Sequence, residues 1–320
     1  MTCKIVISII NYRTLDLTLD CVRSVLADIG TLDARVVVVD NASQDGSCEA
    51  IADWIAEQPA GTPVELVSSP DNTGFSGGHN QGIAAIEAEF YLLLNSDAVL
   101  RPGFLQNILT AAEAHPRAGL IAPQIETDAG DIQVSQFRFH NPWSELVRAA
   151  GTGPITRAFR RHVVALPPPV DPQRVEWASF ACIMLRGEMV KELGPMDEGY
   201  FLYFEDAEYC LRAHRAGWGV ALALDAVAVH FRGGSGPVKA DAKAHKRLPA
   251  YYYSSRTRFF YQAHGRLGLL KANLAWHLGR AVAGLRRAVG GRPHPAVDRE
   301  ARDIWTNFTT PLGPRNAPGE

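Results

Sequence analysis

Short apolar runs without polar alternation recur through the first 125 residues: "KIVISII" (4–10), "RVVVVD" (35–40), "VELVSS" (64–69), "FYLLLN" (90–95) and "GLIAPQI" (119–125). Such runs predict strands buried on both faces. Between them the apolar spacing changes to three and four. "LDLTLDCVRSVLAD" places Leu15, Leu19, Val22 and Leu26 on one helical face, and "SCEAIADWIAEQ" and "PGFLQNILTAAEAHP" predict two more helices with plausible starts and stops. Strand and helix in alternation imply a parallel α/β sheet. The pattern then weakens. Residues 132–151 read as a strand followed by a helix, and 154–173 as a basic, proline-stiffened excursion. Strand character returns over 175–187, followed by a short helix at 188–194, the run "FLYFEDAEYCLRAHRAGW" (201–218), and a strand over 219–231 that ends at His230.

Composition bounds the class. The 320 residues are 47% hydrophobic and 21% charged, ordinary for a chain with a sizeable core. Cys3, Cys21, Cys48, Cys182 and Cys210 include no C-x-x-C pair, so neither a disulfide framework nor a thiolate zinc site is indicated. The apolar run after the N-terminal Met is too short and polar for a signal peptide, and no stretch has the length of a membrane span. The expectation is a protein made and kept in the cytoplasm. The formal net charge of -2 conceals an asymmetry, because Ala242 to Val297 holds eleven Lys and Arg and no acid. A boundary at 241 divides residues 1–241 from a basic helical extension, 242–320, whose Pro/Gly-rich end reads as loose.

In parallel α/β sheets ligands bind at the carboxyl ends of strands. Those ends carry Asn11-Tyr12, Asp40-Asn41, the loop "PDNTGFSGGHNQG" (70–82) and Asn95-Ser96-Asp97. Any one of these reads equally as a turn or helix cap, but four strands in succession end this way. Neither G-x-G-x-x-G after the first strand nor G-x-x-x-x-G-K-[ST] is present, which argues against dinucleotide and P-loop enzymes.

"VVVDNASQDGS" (37–47), "NTGFSGGHNQGI" (72–83), "LLLNSDAVLRPGFL" (92–105), "FLYFEDAEYCLRAHRAGW" and "VAVHFRGGS" (227–235), in that order, resemble the family 2 glycosyltransferases, especially the bacterial rhamnosyltransferase-like branch. The resemblance spans about residues 4–262. It implies a GT-A fold, a Rossmann-like, mostly parallel sheet flanked by helices, here with a C-terminal helical extension. It also implies an inverting, metal-dependent hexosyltransferase that uses a dTDP- or UDP-sugar and a cell-surface glycan or polyprenyl-linked acceptor.

Residue by residue, the resemblance places nucleotide-sugar contacts at Asn11, Asp40, Asn41, Asn72, Gly74, Gly77, Gly78, Asn95 and Ser96. Asp40 is suited to accept from the ring N–H of uracil or thymine, and glycines before a helix allow a phosphate close to backbone N–H groups. Asn95-Ser96-Asp97 matches the family's D-x-D metal motif with Asn first, so Asp97 is the expected ligand of Mg²⁺ or Mn²⁺, joined by His230. Asp206 matches the catalytic base. Glu205, about 100° away on a helix, orients the acceptor or caps the helix. Phe180-Ala181 replaces the family's usual small pair, and a ring there is expected to reshape a substrate pocket.

The extension carries Leu267, Leu270, Leu274, Leu278, Ala281, Leu285 and Val289 as one helical stripe flanked by arginines and Lys271. It reads either as a face packed on the catalytic part or, with Trp276, as a peripheral contact with an anionic membrane. No nucleic-acid motif accompanies the charge. Two further readings remain open: a catalytically silent nucleotide-sugar-binding subunit, and a sugar transferase acting on polyprenyl phosphate.

Overall fold

The computed structural model describes residues 2–231, 238–292 and 294–318. Its strands are β1 (Cys3–Asn11), β2 (Ala34–Asp40), β3 (Val64–Ser68), β4 (Ala88–Asn95), β5 (Ala98–Leu100), β6 (Ala118–Glu126), β7 (Gln136–Phe137), β8 (Trp177–Ala178), β9 (Cys182–Arg186) and β10 (Gly219–His230). The helices include α1 (Leu15–Ile29), α2 (Ser47–Ala56), α3 (Gly74–Ala85), α4 (Phe104–Ala114), α5 (Pro142–Ala150), α6 (Gly153–Ala158), α7 (Gly187–Leu193), α8 (Glu205–Arg215), α9 (Val238–Lys243), α10 (Ala250–Ala288) and α11 (Glu300–Asp303).

The sheet runs β3-β2-β1-β4-β9-β6-β10-β5, with β7-β8 as a separate pair. Pairings among β1 to β4 and between β6 and β10 are parallel; β9 lies antiparallel to β4 and β6, and β5 antiparallel to β10. The unbroken apolar runs follow from burial on both faces. Ile5, Ile7 and Ile9 of β1 join a cluster with Val22, Val25 and Ile108 of α1 and α4. Val6 points into the opposite cluster, with Tyr209, Phe259 and Phe260 of α8 and α10. A sheet between two helical layers therefore puts all its strand ends at an edge.

Several expectations change. The strand expected over 175–187 is two strands, β8 and β9, separated by Ser179 to Ala181, and the strand expected near 132 contracts to the two residues of β7. Phe180 is 2% exposed and packs edge-on against Tyr209, so the ring fills the core behind α8. Three of the eleven cations of the basic extension answer acids within the fold. Arg256, 1% exposed, reaches Glu145 of α5 at 2.8 Å, Arg258 reaches Asp197 at 2.8 Å and Arg247 reaches Asp303 at 2.7 Å. Burial alone would raise the Glu145 pKa, but the Arg148 and Arg256 guanidinium groups hold it well below the usual carboxylate range.

The α10 helix breaks at Gly265, whose φ of 69° lies in the left-handed region. Beyond the break it packs on α5, whose start is set by Pro142 and by Asn141 accepting from the N–H groups of Trp143 and Ser144. A Cβ on Gly279 would lie 2.6 Å from the Leu146 carbonyl, so glycine permits this close approach. The buried face is Leu269, Ala272, Trp276, Gly279 and Ala283, while the leucine stripe faces outward. Trp276 is 2% exposed and cannot serve as an interfacial anchor. Arg280 donates to the carbonyls of Ala149 and His294, and Arg286 to that of Gly151, which ties both to the fold.

Candidate active site

A cavity of about 410 Å³ opens at the strand-end edge, lined by Tyr12, Arg13, Asn41, Asn72, Gly74, Asn95, Ser96, Phe201 and Tyr251 among others. Its first wall is built by the turn after β2. Asn11 is fully buried; its amide donates to Asp40 at 2.7 Å, Ser43 at 3.0 Å and Ser47 at 2.8 Å, while its oxygen accepts from Thr18 at 2.9 Å. Asp40 also accepts from the Ser43 N–H at 3.2 Å. Asn11 thus holds Asp40 in place, and both lie behind the lining to which Asn41 belongs.

The second wall is the loop entering α3. Asn41 donates to Asn72 and to the Gly74 carbonyl, and accepts from the Thr73 N–H at 3.0 Å. Gly74 has φ 71°, and a Cβ there would strike the Phe201 carbonyl, which also accepts from the Phe75 N–H at 2.8 Å. That contact clamps the loop to the segment before α8. Gly77 and Gly78 do other work: a Cβ on either would collide with Thr73 or with Ile10, so their bareness lets α3 pack closely.

At the far rim the chain turns from β4 through Asn95, Ser96 and Asp97 into β5. The antiparallel ladder sets His230 opposite Ala98, and the Phe231 N–H donates to the Asp97 carbonyl at 2.8 Å. Gln133 fixes the His230 carbonyl from the other side at 2.9 Å. His230 Nε2 consequently lies 3.1 Å from Asp97 Oδ1, without the angles of a hydrogen bond. Asp97 is 1% exposed, and among the described residues neither of its oxygens nor His230 Nε2 has a hydrogen-bond partner. Buried polar atoms left this way cost about 1–3 kcal/mol each, so a cluster of three calls for a ligand. No group of three or more His, Cys, Asp or Glu able to hold a metal occurs among the described residues. One carboxylate and one imidazole still fit a divalent ion whose remaining positions go to water and diphosphate oxygens. The "RGGS" part of the last motif (232–235) lies outside the described residues.

The acid pair opens α8. Tyr203 and Phe204 immediately before it have φ of 71° and 69°, uncommon for residues with side chains and a form of strain found at functional sites. Glu205, Asp206 and Glu208 occupy the first turn and Arg212, His214 and Arg215 the last, which suits the helix dipole at both ends. Glu205 is 5% exposed with Oε2 unpartnered; burial, and then the charge of Asp206, push its pKa well up. Asp206 is only partly buried, and its Oδ1 accepts from the Ala207 N–H at 2.8 Å. The two neighbours are therefore chemically unlike, one a buried acid and the other half-open. Phe201 and Leu202 bring the cavity lining to this segment, but Asp97, Glu205, Asp206 and His230 stand outside the lining.

The model of the family "Glycosyl transferase family 2" matches residues 5–160. The N-acetylglucosaminyl-diphospho-decaprenol L-rhamnosyltransferase of Mycobacterium tuberculosis is 27% identical over 268 residues, covering 78% of this chain and 80% of the relative. Residues 5–160 form a family 2 glycosyltransferase domain. A low-salt glycan biosynthesis hexosyltransferase of Haloferax volcanii is 26% identical over 186 residues, 57% of this chain and 54% of that protein. Among solved structures, a mannosyltransferase from Pyrobaculum calidifontis in complex with GDP-Man and Mn²⁺ superposes with TM-score 0.58 at 14% identity, over 98% of this chain and 85% of that one. That likeness shows the fold, the GT-A arrangement of a mostly parallel sheet with flanking helices.

Three features of this glycosyltransferase's site escaped the sequence reading. His79 lines the cavity, bonded through Nδ1 to Ser8 at 2.9 Å, and burial pushes its pKa down to about 3, so the ring is neutral. Arg13 lies over the Tyr12 ring, 5.2 Å from its centroid, at the cavity wall. The third is the C-terminal segment expected to be loose. Arg315 donates to the carbonyls of Thr73 and Asn72 at 3.2 and 3.3 Å, and Pro318 lines the cavity. Only the Asn72–Gly74 loop carried a sequence signal; a partner 242 residues away carries none.

Proposed function

We propose that the protein is an inverting, divalent-metal-dependent transferase that moves a hexose or deoxyhexose from a dTDP- or UDP-sugar to a lipid-linked or cell-surface glycan acceptor. The observation that carries this reading is the buried donor set of Asp97 and His230, unpartnered among the described residues, beside a cavity rimmed by Asn95 and Ser96. The relative's named substrate, a diphospho-decaprenol, supports a lipid-linked acceptor.

The cavity takes the nucleoside. Tyr12 supplies an aromatic face on its wall, and Asp40, held by Asn11 and Ser43, stands behind the lining. Backbone N–H groups entering α3 suit the diphosphate. When bound, a divalent ion held by Asp97 and His230 supplies positive charge to the leaving diphosphate. Asp206 is the base: it takes the proton of the acceptor hydroxyl as that oxygen bonds to the anomeric carbon and the bond to diphosphate breaks on the opposite face. The configuration inverts in this single displacement. A positioned base contributes about 10²–10⁴ in rate. Glu205, buried beside it with its pKa raised by burial and by the charge of Asp206, opens the helix that carries Asp206. No described helix is long and apolar enough to cross a membrane.

The test is a screen of nucleotide sugars with a polyprenyl-diphosphate-linked acceptor, read as nucleoside diphosphate release with Mn²⁺ or Mg²⁺ and with chelator. Release that needs both acceptor and metal is expected. Tight donor binding with no release under any condition would identify a silent binding subunit instead.

A further inference from the structure

Beyond Gly265, α10 is apolar on two opposite faces. The buried face packs on α5, as described above. On the other, Leu267, Leu274, Leu278 and Leu285 are 71, 54, 57 and 70% exposed, and Val289 just past the helix is 85% exposed. At 100° per residue the four leucines fall within about 20° of one line. Ala281 and half-buried Leu270 widen the band, and exposed Lys271 lies within it. From Leu267 to Val289 the band runs about 33 Å at 1.5 Å per residue. A contiguous apolar surface of this kind marks a contact with something else.

We propose that this leucine band docks the enzyme on an anionic leaflet, lying in the plane of the headgroups. Charge selects the occupant. The chain from Ala242 to Val297 has no acid, Lys271 is exposed within the band, and Arg266 and Arg292 are exposed near its two ends. A second copy of the chain seated on the band would bring these cations together with no carboxylate from this segment to answer them, whereas anionic lipid supplies the opposite charge and an apolar layer beneath. The driving group is thus the apolar band, with the cations as a salt-sensitive supplement, because Arg280 and Arg286 are already committed to backbone carbonyls. For its purpose, presenting Asp206 to a lipid-linked acceptor, the docking rests on the function proposed above; as a property of the helix surface it is independent.

The experiment is co-sedimentation of the full chain with vesicles of phosphatidylcholine alone or mixed with phosphatidylglycerol, at low and physiological salt. Two variants accompany it, Leu274→Ser/Leu278→Ser/Leu285→Ser and Lys271→Gln/Arg292→Gln. All five positions are exposed, so both should fold. The wild type is expected to pellet with anionic vesicles, the leucine variant to lose about tenfold or more of its partitioning, and the charge variant to keep weaker binding with less salt dependence. Turnover on a short-chain, water-soluble acceptor should be equal in all three, so failure of the transferase reading appears there and failure of docking in the pellet. Equal pelleting of wild type and leucine variant would overturn the proposal. So would absence of pelleting together with a wild-type dimer, by analytical ultracentrifugation, that the leucine variant abolishes.

Discussion

Replacing Asp97 with Asn should make the protein more stable while abolishing its metal response. Among the described residues both Asp97 oxygens are buried without partners, and His230 Nε2, 3.1 Å from Oδ1, is also unpartnered. An orphaned buried acceptor costs about 1–3 kcal/mol. Asparagine keeps the shape and removes a buried carboxylate that no described residue partners, so metal-free Asp97→Asn should gain about 1–3 kcal/mol. An unfolding entropy of about 2.1 cal/mol/K per residue gives about 0.7 kcal/mol/K for a chain of this length, and the gain becomes about 1.5–4.5 °C in Tm. Mn²⁺ at about a hundred times its Kd should raise wild-type stability by about 2.7 kcal/mol, or about 4 °C, and the variant by nothing measurable. The assay is thermal unfolding of chelator-treated protein across a Mn²⁺ titration, on both proteins. A variant less stable than wild type by more than about 1 kcal/mol, or equal Mn²⁺ shifts in the two, would refute the reasoning.

Three other outcomes follow from the same geometry. Arg256→Leu leaves buried Glu145 with only the half-exposed Arg148 as counter-ion and removes the bond to Asn273; a loss of about 3–5 kcal/mol is expected by chemical denaturation. Because the Glu145 pKa is depressed in the fold, the pair stabilises above the ordinary carboxylate range and that stability disappears as pH falls through the lowered value. The sign reverses at Glu205, whose pKa is raised: stability present below the ordinary carboxylate pKa is lost as pH rises toward the raised one, by about 1.4 kcal/mol per pH unit. Glu205→Gln should flatten that slope in a pH series of melting curves; an unchanged slope would show that Glu205 ionises normally. Truncation after Gly313 removes Arg315 and Pro318 from the cavity edge and should weaken nucleoside diphosphate binding about 3- to 10-fold by calorimetry, whereas an unchanged Kd would make the segment a bystander.

How much of this could be read in advance depended on whether the signal was local. The β-branched runs at 35–40 and 90–95 declared buried strands because no polar residue interrupts them, and the polar strand ends marked the edge on which the cavity opens. The outward turn of the leucine stripe could not be read, since α10 is apolar on both faces. Periodicity locates a stripe but does not say which of two will pack. At Gly279 a Cβ would lie 2.6 Å from the Leu146 carbonyl, so this face comes against α5 where a leucine could not. The charge asymmetry was equally visible and misleading, because Arg256 and Arg258 answer Glu145 and Asp197, which are 111 and 61 residues distant in sequence. The C-terminal stretch read as loose from its Pro and Gly content, and only the tertiary contact of Arg315 anchors it.

The measurement closest to the central claim compares wild type with Asp206→Asn in two assays on the same preparations, donor binding and turnover. Asparagine keeps the size of the side chain but cannot take the acceptor proton. The account predicts a donor Kd within about twofold of wild type and a turnover lower by about 10² or more. Turnover within about tenfold of wild type, with product formed at the same metal requirement, would contradict it and remove Asp206 from the chemistry.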